Sequence, residues 1–407
     1  MEKIKGGVTA SLGFLASHTA AGIKYKDRDD MAMIYSEAPC NAAGVFTTNV
    51  VKAAPVQYDR EIIDRDPGIR SVVINAGIAN ACTGADGLLK CRKTADFTGR
   101  CLNISADSVL LASTGVIGMS LPLDKVKKGV EALSKDLDSS IEAGNMAAKA
   151  IMTTDTHEKE SAYSFTAGGR TCHIGGMTKG AGMIHPNLGT MLCFITTDCA
   201  VSSVMIQKAL KADVRDTFNM ISVDGDTSTN DTCVVIANGM AENDLIDSEG
   251  ADFDSFKEAL FSVMHDLCIQ MAGDGEGATT LIECRVENAG NEKDARTLAK
   301  SVITSNLTKA AVFGRDANWG RILCALGYSG AFFDPDKVDL YMESKNGRIK
   351  LIENGTALPY SEDKATEIMK SDKVIIIADM KSGSSSATAW GCDLTYDYVK
   401  INADYRS

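Results

Sequence analysis

Nowhere is this sequence uninterruptedly apolar over the ~18 or more residues that a membrane-spanning helix needs. The best candidate, Val109 to Leu121, is broken by Ser113, Thr114, Gly115, Gly118 and Ser120, so no membrane contact is expected. The N-terminus, Met1-Glu2-Lys3-Ile4-Lys5-Gly6-Gly7, carries neither the apolar centre of a secretory signal nor the Arg/Ser-rich pattern of a transit peptide. A cytoplasmic protein is expected. The twelve cysteines include no CxxC pair, and many sit in apolar runs, as Cys193, Cys233 and Cys268 do, so they read as reduced core residues. The histidines His18, His157, His173, His185 and His265 form no HxxxH or HExxH arrangement, and no metal is expected. Positive charge is in deficit, with 42 Lys+Arg against 54 Asp+Glu and a net charge of -12. That is the wrong sign for gripping phosphate backbones over a broad surface, which disfavours nucleic acid.

Proline is scarce as well: seven residues, with no long Ser/Pro/Gly tract to mark a linker. No internal repeat recurs at a fixed period. A composition shift after Cys284-Arg285-Val286 is the one hint of a boundary, dividing the chain into 1–284 and a smaller C-terminal domain over 285–407. What is present is ordinary for a folded protein: 407 residues, 44% hydrophobic and 24% charged, enough for two or three domains with a large core.

Apolar residues at Leu123, Val126, Val130, Leu133 and Leu137, and at Phe256, Leu260, Met264, Leu267 and Met271, give single stripes and predict core-facing helices. Short β-rich runs lie between them at 44–48, 71–75, 193–197, 233–236 and 374–378. Tyr163-Ser164-Phe165 and Thr171-Cys172-His173-Ile174 flank Gly168-Gly169 and read as a hairpin, so part of the sheet is antiparallel. The expected class is α+β.

Two segments suggest chemistry. In Lys179 to Asp198, glycine, proline and asparagine crowd a turn that feeds a strand starting at Thr190. One reading is a plain loop-to-strand joint with a good β-former at its head. The other makes Thr190 a nucleophile that cuts the peptide bond before it and becomes the first residue of a second chain. A free α-amine, titrating near ~7.7–8.0, would then serve as base for the hydroxyl of the same residue. Gly189 lets the bond to be cut take backbone geometry that a larger residue resists. The second segment, Ala112 to Gly118, is a Thr-Gly turn after an apolar strand. Beyond being a turn, it offers the Thr114 hydroxyl and an unencumbered N–H at Gly115, the donors an acyl-transfer oxyanion needs.

Six motifs carry a specific resemblance: KGAGMIHPNLGTMLCFITTD, LLASTGVIGMSLP, GNMAAKAIMTTDT, VDGDTSTND, GRDANWGRI and YVKINADYRS. Together they closely resemble the ornithine acetyltransferase family of arginine biosynthesis, also called the bifunctional glutamate N-acetyltransferase family, over Gly7 to Ser407. Any one of them is weak; six together are far more specific than a lone glycine-rich loop. The resemblance implies an αββα-type layered core, distinct from the N-terminal nucleophile hydrolases proper. It also implies self-cleavage into an α chain of 1–189 and a β chain from Thr190, assembling as α2β2. The family commonly has Ala before the nucleophile where this chain has Gly189, which bears on cleavage efficiency.

The implied reaction moves an acetyl group from N2-acetylornithine to glutamate through an ester on Thr190, giving ping-pong kinetics. Bifunctional members also take acetyl-CoA, which makes it a second candidate donor. Amide is exchanged for amide, so neither cofactor nor ATP is implied. Thr114 and Gly115 fall at the oxyanion positions, and Thr153, Lys179, Thr190, Glu276, Asn402 and Ser407 at substrate-contacting ones. Lys179 suits an α-carboxylate and Glu276 the distal ammonium of ornithine. Thr153 is favoured over its neighbour Thr154, though pattern alone does not separate them. Asn402 and Ser407 imply a C-terminal tail folded back over the site.

Other residues are read more plainly. His185 precedes Thr190 by five positions, but a nucleophile that carries its own amine needs no histidine base. His265 is expected on a helix, as a surface or boundary residue. Asp224, Asp226, Asn230 and Asp231 lack the closing Glu of a calcium loop and read as a structural polar turn near the site. The Gly314 to Arg321 motif marks the family without a derivable role. A competing enzyme is an N-terminal-Thr amidase or aminopeptidase passing the acyl group to water. A nucleotide cradle over Gly273 to Thr280 lacks the P-loop ending.

Overall fold

A computed structural model describes residues 1–185 and 191–404. The chain forms two compact units. The first comprises residues 1–180, 186–219 and 227–268; the second takes 181–185, 220–226 and everything from Ile269 on. The break lies inside the helix Ala251–Gly273, whereas the composition shift at residue 285 falls inside a strand, Leu281–Ala289. That strand pairs on both sides, so the change in composition records a buried strand giving way to the helix Glu292–Thr304.

Numbered in chain order, the first unit contributes β1 (Glu2–Ile4), β2 (Phe14–Thr19), β3 (Met31–Phe46), β4 (Ile69–Asn75), β5 (Val109–Ser113), β6 (Lys159–Ala167), β7 (Arg170–Lys179) and β8 (Leu192–Thr197). After β9 (Ile221–Ser222), which belongs to the second unit, β10 (Thr232–Ala237) completes its sheet. The strand order is β1-β6-β7-β8-β10-β3-β4-β5, with β2 also on β3. β6 and β7 are joined by Gly168-Gly169 as an antiparallel hairpin, as the sequence predicts, whereas β8/β10 and β4/β5 are parallel.

The long β3 changes partners along its length. Met31 to Tyr35 pair with β4, and Asn41 to Phe46 pair with β10. The register slips between Tyr35 and Cys40, a span that includes Pro39, which has no N–H to give a ladder. Residues of both halves of the sheet, such as Met33, Val73, Phe194 and Val234, share one buried apolar cluster. The helix Leu123–Lys135 adds Val126, Val130 and Leu133 to it. Each such side chain contributes about 1.5–3 kcal/mol by leaving water. Leu123 and Leu137 at the ends of the predicted stripe are only half-buried, and Leu137 lies past the helix end.

In the second unit, β11 (Leu281–Ala289), β12 (Asp339–Ser344), β13 (Gly347–Glu353), β14 (Thr356–Ala357), β15 (Lys373–Asp379) and β16 (Ser385–Cys392) join β9 in the order β14-β13-β12-β15-β11-β16-β9. The helix Glu292–Thr304 packs on β11 and β16 and buries Ala295, Leu298, Ala299, Val302 and Ile303, the spacing of one helical face. The Gly314 to Arg321 motif acquires a structural role here. Asn318 caps the helix Trp319–Gly327 by accepting from the Arg321 N–H, and Arg321 donates to Leu307 O at 2.9 Å.

All twelve cysteines are free thiols; Cys82 and Cys324 are exposed, Cys101 is half-buried and the others are buried. Among the described residues no helix is long and apolar enough to cross a membrane. No group of three or more His, Cys, Asp or Glu among them is placed to hold a metal ion.

Candidate functional site

Strand register fixes the position of Lys179. Lys179 pairs with Leu192, Leu192 with Thr232, and Thr232 with Phe46, one row across the first unit's sheet where β8 and β10 begin. Lys179, 7% exposed, reaches Thr153 Oγ1 at 2.7 Å and Thr114 Oγ1 at 3.4 Å. The structure thus brings Thr114, Thr153 and Lys179 together, with the Thr153 hydroxyl the nearer of the two to the lysine.

The Thr-Gly turn is built by its backbone. Thr114 N–H donates to Asn75 O at 3.0 Å, and Val116 N–H to Gly77 O at 3.1 Å. Between them Gly115 takes φ +125°, and a Cβ there would lie 2.2 Å from Gly77 C. Only glycine fits. With the Thr114 amide committed, the turn's remaining donors are the Thr114 hydroxyl, next to Lys179 Nζ, and the Gly115 N–H, which makes no hydrogen bond among the described residues. Asn230 pins the turn from the far side, donating to Ala79 O at 2.6 Å and Ser113 O at 2.7 Å.

Asp155 organises the cluster. Its Oδ1 accepts from Lys159 Nζ at 2.8 Å and from Gly180 N–H at 2.7 Å. Its Oδ2 accepts from Thr153 N–H at 3.1 Å and lies 3.7 Å from Lys179 Nζ. The side chains of Asp155 and Lys159 are fully buried. Burial alone would raise the Asp155 carboxyl, but Lys179 and Lys159 outweigh it and hold it far below the usual carboxylate range. Two lysines against one carboxylate leave a net positive charge beside two hydroxyls, an arrangement that receives a carboxylate or a developing oxyanion.

The second unit holds its own cluster. Glu276, 6% exposed, accepts from Asn402 Nδ2 at 2.7 Å, and its N–H donates to Ala181 O at 2.9 Å. A Cβ on Gly182 would lie 2.5 Å from the Glu276 carboxyl, so a side chain at that position would displace it. Asn402 lies on the helix Tyr396–Ala403, and its bond sets that helix against Glu276. Asp224 explains part of the acidic motif: it accepts from the backbone N–H groups of Met183, Ile184 and Asp226 at 2.6, 3.0 and 3.1 Å. It is a brace for the 181–185 segment.

His185 Nδ1 lies 3.1 Å from Ser222 Oγ. Burial and the neighbouring Lys300 hold its imidazole down to about 4 from the ordinary 6.5, against the pull of Asp224. It is neutral at pH 7. The unfolded chain takes up a proton that the folded chain resists, so this residue makes stability fall as pH drops from about 6.5 to about 4 and has no effect above. His185→Gln should flatten that limb of a melting-temperature curve against pH; an unchanged limb would clear His185 as its source.

Of the residues predicted to act, Gly189, Thr190 and Ser407 lie outside the described residues. Those that sequence reasoning missed are Asp155, Lys159 and Asn75; Asn230 it read as part of a structural polar turn, and it braces the Thr-Gly turn. Asp155 stands in the quoted motif GNMAAKAIMTTDT, four residues before Lys159, but the stretch Thr153 to Ser161 is polar throughout and carries no local sign of their burial.

A family model described as the ArgJ family matches residues 15–407. The arginine biosynthesis bifunctional protein ArgJ of Thermotoga neapolitana is 50% identical over 396 residues, 97% of this chain and 99% of that one. Its Bacillus subtilis counterpart is 42% identical over 405 residues, 100% and 98% of the two chains. Among solved structures, an argJ protein of Bacillus halodurans is 44% identical, covering 52% of this chain and 97% of that one with a TM-score of 0.49. The chain belongs to the ArgJ family.

Proposed function

We propose that the chain is a self-cleaving acetyltransferase of arginine biosynthesis that moves the acetyl group of N2-acetylornithine to glutamate. The names of its full-length relatives support the pathway. The observation that carries the chemistry is the buried Lys179, which joins the hydroxyls of Thr114 and Thr153 on the sheet row where β8 begins, just after Thr190. An αββα-type layering is supported by the single apolar cluster shared by both halves of the first sheet. The reading includes two chains, 1–189 and 190–407, an α2β2 assembly, and the cytoplasm.

Thr190 attacks the acetyl carbonyl with its Oγ while its α-amine takes the hydroxyl proton. The oxyanion forms against the Thr114 hydroxyl and the Gly115 N–H. The carbon–nitrogen bond breaks, ornithine leaves with the proton, and acetyl-Thr190 waits for the amine of glutamate. Lys179 and Thr153 take a substrate carboxylate. Glu276, held by Asn402, suits the distal ammonium of ornithine.

Thr114→Ala should lower the transfer rate by about 10²-fold or more, as loss of one oxyanion donor does; unchanged turnover would remove that role. The assay for the reaction itself supplies N2-acetylornithine and acetyl-CoA as separate donors. Ornithine and N-acetylglutamate formed in equal amounts from the first donor support the transferase. Free acetate released without glutamate would support the amidase instead, and product from acetyl-CoA would assign the second activity.

A further inference from the structure

Glu276 is buried, and the partner its carboxyl has among the described residues is a neutral amide, Asn402 Nδ2 at 2.7 Å. No lysine, arginine or histidine among them pairs with it. A carboxylate taken out of water without a counter-charge is destabilised, and a cation brought by a ligand is the partner that relieves it. Negative charge also gathers nearby. Burial, Asp224, Glu276 and Asp226 together push the Tyr398 hydroxyl well above its ordinary value, so three carboxylates act on one phenol.

The Glu276 carboxyl rests on a glycine. The three nearest atoms that a Cβ on Gly182 would meet are its Cδ, Oε1 and Oε2, each 2.5 Å away. The segment bearing Gly182 is held from several sides. Glu276 N–H donates to Ala181 O at 2.9 Å, and Asp224 accepts from Met183 and Ile184 N–H at 2.6 and 3.0 Å. Met183 is kept there at φ +54°, a conformation that costs a residue with a side chain. Ile184 O accepts from Val223 N–H at 2.7 Å, and Val223 O from the buried ammonium of Lys309 at 2.6 Å. Gly182 itself has no left-handed φ, so its own backbone does not call for glycine. The carboxyl against it does.

Resting on the reading in which Glu276 receives the distal ammonium of ornithine, we propose that Gly182 is a specificity-determining position. Its bare backbone lets the Glu276 carboxyl lie against the 181–185 segment, and that placement selects amino-acid substrates with a cationic end over those of equal length with an uncharged one. A methyl group at 182 leaves the fold in place, because the atoms it meets are the far end of a side chain that can rotate. It moves the carboxyl by roughly 1 Å, enough to spoil a charge-assisted hydrogen bond whose geometry is set within tenths of an ångström. Gly182 is therefore a positioning residue that acts through Glu276.

The test measures acetyl transfer to glutamate from N2-acetylornithine and from N2-acetylnorvaline, which has the same carbon chain without the distal ammonium. Wild type, Gly182→Ala, Glu276→Gln and the double variant are compared. Gly182→Ala should melt cooperatively and lose about 10-fold or more of the preference for the cationic donor, through a raised KM for N2-acetylornithine, while KM for N2-acetylnorvaline stays within about threefold. Glu276→Gln should lose the preference too, and adding Gly182→Ala to it should change little, because both act through one carboxyl. A preference in Gly182→Ala within about threefold of wild type, two losses that add, or a Gly182→Ala chain that does not fold would each overturn the proposal. A wild type indifferent to the ammonium would overturn instead the reading of Glu276 on which it rests. A wild type that transfers acetyl from neither donor would overturn the acetyltransferase reading.

Discussion

Thr190→Ala is expected to leave a single full-length chain on a denaturing gel and to lower acetyl transfer by at least about 10⁴-fold. One substitution removes two things at once. Without the hydroxyl the preceding peptide bond is not attacked, so no α-amine is freed, and the site then lacks both the atom that carries acetyl and the base that activates it. Thr190→Ser keeps the oxygen and should both cut and turn over, at reduced rates. A Thr190→Ala chain that still cuts after Gly189, or an intact wild-type band with full activity, would displace Thr190 from the centre of the mechanism.

Asp155→Ala is expected to destabilise the protein by about 3–5 kcal/mol, read as a lower denaturant midpoint, with activity lost even where the chain stays folded. The carboxyl is the partner of a lysine with no exposed side-chain surface, and removing it takes away the negative charge set against that ammonium, where a carbonyl such as His157 O at 3.3 Å is only a partial substitute. Two backbone N–H groups, of Thr153 and Gly180, lose their acceptor in the same change. Asp155→Leu combined with Lys159→Met should recover much of the stability, because replacing both members of a buried pair with apolar side chains is far cheaper than removing one. It should not recover activity, since Thr153 and Lys179 would lose the group that aims them. Equal stability of the Asp155→Ala chain and wild type would show that Lys159 finds another partner.

How much of this was legible beforehand depended on the range of the interaction. The hairpin at Gly168-Gly169 and the helix over Val126, Val130 and Leu133 are set by neighbours in sequence, and both stand where periodicity places them. Thr114, Gly115, Thr153 and Lys179 carried their own signal through the family motifs. The partner exchange of β3 did not, because it is fixed by pairing with strands far along the chain. Nor did the second unit's claim on 181–185 and 220–226, which no local composition records. Gly182 was visible only as one glycine in a turn; its place against the Glu276 carboxyl is a product of the fold.

The order β7-β8-β10-β3 has a consequence for a protein cut where we propose. The proposed cut before Thr190 would put β7 and β3 on one polypeptide and β8 and β10 on the other, so two strands of the C-terminal chain would lie clasped between strands of the N-terminal one. Separation then requires tearing ladders on both sides, and the pair should migrate together through any column run without denaturant. Once melted, however, the fragments must find each other by collision, where the parent folded alone. The proposed processing would thus exchange a fold that one chain completes by itself for one whose recovery depends on concentration.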